Sequence, residues 1–198
     1  MKKIIFAAIA VIAMTIVPAT SMAAPVKFGS KLNPTVQPSN SLPGLDCGEG
    51  VSGPCTMVQN EAYGRPDGGE LAPKTGTIKK IRLIAGGPGS FKLQIAKVKR
   101  STLFGTNEAK VVHNGPRISY QGQTEANEES GSYRVETFNV NVPVKKGQQL
   151  ALKGNITSMV RCSSGGDNTL IYTPSLGSAF RPATETDGCW ILMEAVIR

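Results

Sequence analysis

The chain has 198 residues, of which 40% are hydrophobic, 18% charged and 6% aromatic, and its formal net charge is +8. Its 22 glycines and 13 prolines separate short apolar runs, which excludes a long-helix bundle because these residues interrupt a helical apolar stripe. The sequence shows no internal repeat or low-complexity tract, so solenoid and disordered classes are excluded as well. The composition is typical of one small β-rich domain.

Residues 1–23 are predicted to be a signal peptide. Two lysines precede an apolar run at residues 4–17, which is short for a membrane span. Ser21 and Ala23 supply the small residues that a signal peptidase recognises, so cleavage is expected after Ala23. An uncleaved membrane anchor is the alternative. The expected product is secreted and extracytoplasmic, with no transmembrane segment after signal removal.

Export bears on the four cysteines, because thiols outside the cytoplasm tend to be oxidised to disulfides. Two bridges among four cysteines allow three connectivities, of which local pairing closes the shortest loops. No Cys-x-x-Cys spacing is present and the single histidine, His113, is distant in sequence, which disfavours zinc. The disulfide candidates are Cys47, Cys55, Cys162 and Cys189.

The mature chain is expected to have two parts. Residues 24–54 contain five prolines and little periodicity, which predicts an extended Pro-rich N-terminal arm. Residues 55–198 are predicted to form one β-sandwich domain, with a first strand at residues 55–60.

Two alternating segments flank a Gly-rich turn at residues 86–89. Residues 76–85 place apolar side chains on one face and Lys80 and Arg82 on the other, and residues 91–95 repeat this alternation around Lys92. The pattern predicts a β-hairpin with these cations on its outward face. The apolar phase shifts after residue 95, which predicts a β-bulge.

Residues 138–142 and 150–152 alternate on either side of Gly147 and predict a second hairpin. Residues 169–173 form another short strand pattern, while residues 190–197 are apolar almost throughout and predict a central strand, with Trp190 in the core. About eight such strands indicate an all-β fold, a two-sheet antiparallel β-sandwich that is jelly-roll-like.

Five short motifs, spread over most of the mature chain, resemble those of a set of uncharacterised secreted β-sandwich proteins common in actinobacteria. The resemblance implies a β-sandwich and an exported location, and it implies no catalytic residue. The motifs are Phe28-Gly29-Ser30-x-Leu32, Cys55-Thr56, Ala72-Pro73-x-x-Gly76-x-Ile78-x-x-x-Arg82, Val144-x-x-Gly147-x-x-Leu150-x-Leu152 and Leu192-Met193-x-Ala195-Val196.

Positive charge is concentrated between residues 76 and 117, where nine Lys or Arg stand against Glu108 alone. A basic strand face attracts polyanions, and an anionic cell-envelope polymer is the expected partner. Solubility and edge protection are the alternative use of such a face. Nucleic acid is not expected, because Phe91 and Phe104 are the only aromatic residues in this stretch. The candidate polyanion-binding residues are Lys79, Lys80, Arg82, Lys92, Lys97, Lys99 and Arg100.

Loop residues offer two further candidate binding sites, one for sugar rings and one for Ca²⁺. Tyr63, Tyr120 and Tyr172 lie near predicted loops and are candidate platforms for sugar rings, although loop tyrosines more often pack on their own turns. Oxygens at Asp167 and Asn168, or at Asp46 and Glu49, can contribute to a structural Ca²⁺ site, but the spacing also suits ordinary turns. No other cofactor is expected.

No pattern in the sequence predicts catalysis. A Gly-x-Ser-x-Gly elbow is absent, His113 has no partner pattern, and Glu128 and Glu129 are neighbours whose side chains point apart on an extended chain. The predicted function is a non-catalytic binding or envelope-associated module that captures an anionic glycopolymer. The alternatives are a secreted hydrolase with an unrecognised site and a structural or adhesive subunit. The oligomeric state is not indicated.

Overall fold

The computed structural model describes residues 24–32, 47, 53–60, 69–99, 107–124, 127, 133–155, 160–162 and 169–198. These residues form thirteen strands. The strands are β1 (Val26–Gly29), β2 (Cys55–Gln59), β3 (Gly76–Leu83), β4 (Gly89–Lys99), β5 (Glu108–Tyr120), β6 (Glu136–Val144), β7 (Gln149–Gly154), β8 (Val160–Cys162), β9 (Thr169–Tyr172), β10 (Arg181–Pro182), β11 (Glu185–Asp187), β12 (Cys189–Ile191) and β13 (Met193–Ile197).

The strands form two antiparallel sheets packed face to face, as the sequence predicts. One sheet has four strands in the order β1-β13-β3-β6, and the other has seven in the order β10-β5-β4-β7-β2-β9-β11. Strands β12 and β8 form a separate antiparallel pair. The prediction of an antiparallel β-sandwich is therefore confirmed.

The main core lies between the two sheets and follows from the period-two pattern. Ile81 and Leu83 of β3 belong to the same buried cluster as Phe91 and Leu93 of β4 and Leu150 of β7, and none of these side chains is exposed. Each such side chain contributes about 1.5–3 kcal/mol when it leaves water. Burial of these alternate side chains therefore stabilises the packing of the two sheets.

Both predicted hairpins are wrong, because each pair of strands is divided between the two sheets. Strand β3 pairs with β13 and β6, whereas β4 pairs with β5 and β7. Likewise β6 pairs with β3, whereas β7 pairs with β2 and β4. The turns at residues 86–89 and 145–148 therefore cross from one sheet to the other. A hairpin turn within one sheet and a turn that crosses between two sheets both leave alternate apolar side chains facing the core. Periodicity alone therefore does not distinguish the two kinds of turn.

A second, smaller core lies on the opposite face of the seven-stranded sheet. It contains outward-facing residues of the sheet together with Leu176, which is 4% exposed. Leu176 belongs to residues 173–180, which connect β9 to β10 and are called the strap. The strap therefore covers part of the sheet face that would otherwise meet solvent. The buried members of this cluster are Val58, Ala96, Ala109, Val111, Ala151, Leu170, Tyr172 and Leu176.

The predicted bulge exists, but on the neighbouring strand. The β4–β5 register moves from Ile95 opposite His113 to Ala96 opposite Val111, so the additional residue lies on β5. Strand β4 pairs with β7 without interruption. Its apolar phase changes because Ile95 lies in the main core and Ala96 in the second one.

The ends of the chain differ from the prediction in two respects. The expected N-terminal arm contains β1, which pairs with β13 and buries Phe28, so this part of the arm belongs to the sandwich. The predicted strand at residues 190–197 is divided into β12 and β13. Strand β13 is central and buried, as predicted, whereas Trp190 is half-buried and lies outside both core clusters.

Cys47 and Cys55 form a disulfide, which confirms one of the two local pairings. The register of β8 and β12 places Cys162 directly opposite Cys189. No helix among the described residues is long and apolar enough to cross a membrane. The disulfide is compatible with an extracellular location, while the predicted signal peptide at residues 1–23 lies outside the described residues.

Candidate anion-binding groove

The predicted basic face is divided between opposite sheets. Lys79, Lys80 and Arg82 lie on β3 in the four-stranded sheet, whereas Lys92, Lys97 and Lys99 lie on β4 in the seven-stranded sheet. Arg100 is outside the described residues. Because β3 and β4 do not pair, these cations do not form the single hairpin face that the sequence predicts, and that prediction is wrong.

Cations on the four-stranded sheet are largely engaged within the protein. Arg82 Nη1 lies 2.5 Å from Glu194 Oε1, and Lys27 Nζ lies 3.3 Å from the same oxygen. Lys79 Nζ donates a hydrogen bond to Asn141 Oδ1 at 2.5 Å. The carboxylate of Glu194 thus neutralises much of the charge at the centre of this face.

The far end of β4 is also occupied by internal contacts. Lys97 stands opposite Lys110 on β5, and the ammonium groups of Lys99 and Lys110 lie 4.2 and 4.7 Å from the ring centre of Phe180. Lys99 Nζ is also 3.9 Å from Glu108 Oε2. Lys99 and Lys110 thus pack against the aromatic ring of the strap, which is a favourable cation–π arrangement.

A row of three cations crosses the outer face of the seven-stranded sheet. Lys92 on β4 stands opposite Arg117 on β5 and opposite Lys153 on β7. Arg117 Nη1 donates to Ser90 Oγ at 2.7 Å, which places the guanidinium on the same face as Lys92. No described carboxylate forms an ion pair with any of the three. Arg117, Lys92 and Lys153 are called the cationic row.

An open groove of about 580 Å³ lies beside this row. Lys92 and Lys153 line it, together with His113 and Asn114 near the β5 bulge. Leu176, Gly177 and Ser178 of the strap complete the lining. The strap is held in place because Val111 N–H donates to Gly177 O at 2.7 Å.

Buried polar groups run beneath the groove in one hydrogen-bonded chain. Leu176 N–H donates to Thr56 Oγ1 at 3.0 Å, and Thr56 Oγ1 donates in turn to Gln94 Oε1 at 3.2 Å. Gln94 Nε2 donates to Asn114 Oδ1 at 2.8 Å. Thr56 and Gln94 are buried, whereas Asn114 is exposed at the groove.

Two of the candidate sugar platforms are wrong because their rings are buried. Tyr172 is 0% exposed and Tyr120 is 4% exposed, the latter with its ring centre 6.1 Å from that of Phe91. Burial raises the pKa of Tyr172 well above its usual range, and the positive charge of Arg181 opposes that rise in part. Tyr63 lies outside the described residues.

Candidate groups for metals and catalysis are placed only in part. No three His, Cys, Asp or Glu residues lie together as a metal site in the described part of the chain. The loop oxygens at Asp46, Glu49, Asp167 and Asn168 lie outside it, as do Glu128 and Glu129. His113 lines the groove, but the described lining contains no carboxylate with which it can act.

Sequence reasoning included Lys92 but missed Lys153, Gln94 and Asn114 as groove residues. Lys153 alternates with Leu152 and is recognisable as outward-facing, yet only the strand register shows that it stands beside Lys92.

No protein-family model, curated protein or solved structure matches this chain. The likeness to secreted actinobacterial proteins therefore stays a prediction.

Proposed function

We propose that this protein is an exported, non-catalytic binding module that captures an anionic cell-envelope glycopolymer in the groove beside the cationic row. The observation that carries the proposal is the alignment of Arg117, Lys92 and Lys153 on three adjacent strands with no described carboxylate paired to them. The predicted signal peptide and the resemblance to secreted β-sandwich proteins support the same proposal, as does the disulfide between Cys47 and Cys55.

Like charges directly opposite each other destabilise a sheet, so the row has an energetic cost in the free protein. Neighbouring strands are about 4.8 Å apart, which puts the backbone positions of the three cations along a span of about 10 Å. An anionic polymer that lies across the strands offsets the repulsion at several points at once. The polar side chains of Asn114 and Ser178 add hydrogen-bonding groups that suit the hydroxyl and acidic oxygens of a polysaccharide.

The test is retention of the mature protein on immobilised acidic polysaccharide across a salt series. Wild-type protein should bind at low ionic strength and elute as salt rises, because exposed charges are screened within about 10 Å at 0.1 M. A Lys92→Gln, Lys153→Gln double variant should bind at least about fivefold more weakly, from the loss of two charge contacts.

Lys80→Gln is the matched control for each single lysine change. It removes the same charge from an exposed strand position, but on the opposite sheet. The control should retain most of the binding. Equal losses from Lys80→Gln and Lys153→Gln would show that net charge, and not the groove, determines binding. Retention that is insensitive to salt would contradict electrostatic capture.

The structural or adhesive alternative has one observation in its favour. Strand β6 is nine residues long and lies at an edge of the four-stranded sheet, where unpaired backbone groups can add another strand. Pro143 within β6 lacks an N–H group and limits such pairing. Concentration-dependent assembly, measured by light scattering after size exclusion, would favour this alternative over the binding module.

A further inference from the structure

The hydrogen-bonded chain beneath the groove runs in one direction. The backbone N–H of Leu176 donates to Thr56 Oγ1, and the Thr56 hydroxyl donates in turn to Gln94 Oε1. With its carbonyl oxygen occupied in this way, Gln94 directs its amide nitrogen toward Asn114 Oδ1. The chain of groups from Leu176 to Asn114 is called the amide relay.

The relay determines which end of the Asn114 amide is available to a ligand. Asn114 Oδ1 is turned toward Gln94, so the Nδ2 group, with two N–H donors, is the free end. No described residue accepts a hydrogen bond from it. Gln94 is 3% exposed and Thr56 is 0% exposed, so water does not compete for these inner links.

Asn114 therefore adds donors to a groove that Lys92 and Lys153 also line. Lysine has three N–H donors and no acceptor. A lining that combines amide donors with cations suits a ligand atom that only accepts hydrogen bonds. Hydrogen bonds from an amide to an ionised oxygen are shorter and stronger than those to a neutral one.

We infer that the groove selects fully ionised oxygen acceptors, the shared chemistry of carboxylate, sulfate ester and phosphodiester groups, and that Asn114 Nδ2 contacts them directly. Gln94 and Thr56 are positioning residues that hold the Asn114 amide with its donors outward. The inference rests on the proposed function and specifies its ligand class and a contact that net charge alone does not predict.

The first test uses nuclear magnetic resonance with ¹⁵N-labelled protein. Sodium sulfate, a polyuronate and a poly(glycerol phosphate) are titrated separately, with neutral dextran as the uncharged comparison, so the arms distinguish the three anionic sources. The side-chain NH₂ signals of Asn114 should shift with each ligand that binds, while those of Asn139 on the exposed face of β6 should not.

Substitutions then separate contact from charge. Asn114→Ala should weaken binding of the preferred anion about tenfold, as expected for losing a hydrogen bond to a charged group. Asn114→Asp should weaken it further, because a carboxylate replaces the outward donors. Asn139→Asp carries the same charge change on the opposite sheet and should leave binding within about twofold, since its charge is distant and screened.

The positioning role is tested at Thr56. Thr56→Val removes the hydroxyl that links Leu176 to Gln94 and should weaken binding several-fold. Thr56→Ser keeps that hydroxyl and should bind like wild type. Folding of each variant is checked by its amide spectrum. If Asn114→Ala binds like wild type and the Asn114 signals do not shift while the lysine variants lose binding, the inference is overturned and the proposed function stands. If wild-type protein binds none of the anions at low salt, both are overturned.

Discussion

Lys92 and Lys153 face each other across β4 and β7 without a described acidic partner, so their repulsion should be measurable in the free protein. Lys153→Gln should raise the free energy of unfolding by about 0.2–1 kcal/mol at low salt. The gain should shrink at high salt because screening already weakens the repulsion. Urea unfolding at the two salt levels measures both quantities. Destabilisation by Lys153→Gln at low salt would contradict the repulsion.

Tyr172 predicts a specific loss of stability at alkaline pH. Burial raises the pKa of its hydroxyl in the folded protein, whereas an unfolded tyrosine ionises near pH 10. Unfolding therefore releases a proton above about pH 10, and the free energy of unfolding falls as pH rises further. Below that pH the folded and unfolded states are both protonated and the contribution is constant.

Tyr172→Phe should remove this alkaline dependence. Its cost near neutrality should be small, about 0.5–1.5 kcal/mol, because the hydroxyl donates a long hydrogen bond, of 3.5 Å, to Asn107 O. The comparison is denaturant unfolding near pH 8 and above pH 10 for both proteins. Parallel losses of stability in the two would show that other groups cause the alkaline effect.

At the scale of the strand, period-two alternation was sufficient to identify β3, β4, β6 and β7 and their core-facing residues. It was not sufficient to identify their neighbours, because a hairpin and a crossing between sheets bury the same alternate side chains. The predicted hairpin placed Lys80 and Arg82 on one face with Lys92, whereas the structure puts them in different sheets. The cationic row could not be predicted for the same reason, since it depends on the register of three strands.

The strap gives an element-level prediction. Leu176→Ala should lower the free energy of unfolding by about 2–4 kcal/mol, because Leu176 is buried in the second core and its loss leaves a cavity. Hydrogen exchange should quicken at the amides of Leu176 and Val111, which bond at the strap, with little change in β13.

Val112→Ala serves as the matched control for the strap. Val112 lies on β5 close to the same groove, but it is 37% exposed, so its truncation should change stability by less than about 0.5 kcal/mol. Similar losses from Leu176→Ala and Val112→Ala would mean that the strap does not cover a core.

For the molecule as a whole, the backbone register predicts a second disulfide. Cys162 and Cys189 are directly opposite in the β8–β12 pair, and opposite residues in antiparallel strands have Cα atoms within the range that a disulfide spans. Mass spectrometry of the oxidised protein should show the loss of two hydrogen atoms for each of two bridges. A digest should then contain a linked peptide pair that reduction separates.

A bridge at this position would join the short β8–β12 pair covalently and add about 2–4 kcal/mol to stability. Cys162→Ser with Cys189→Ser should lower the free energy of unfolding by that amount and leave the Cys47–Cys55 bridge intact. Alkylation of two thiols per molecule in the oxidised wild-type protein would contradict the prediction. Spacing suggested this pairing, but only the register supplies a geometric reason for it.

The strap has two roles at once, since Leu176 seals a hydrophobic layer while Gly177 and Ser178 form part of the groove. Widening the groove on that side would expose apolar side chains of the second core to water. The groove should therefore keep its shape when empty. A polymer should enter and leave it from the open solvent side without a conformational change of the strap. Capture by such a preformed surface costs the protein little conformational entropy, so weak individual contacts can add up along a long, repetitive ligand.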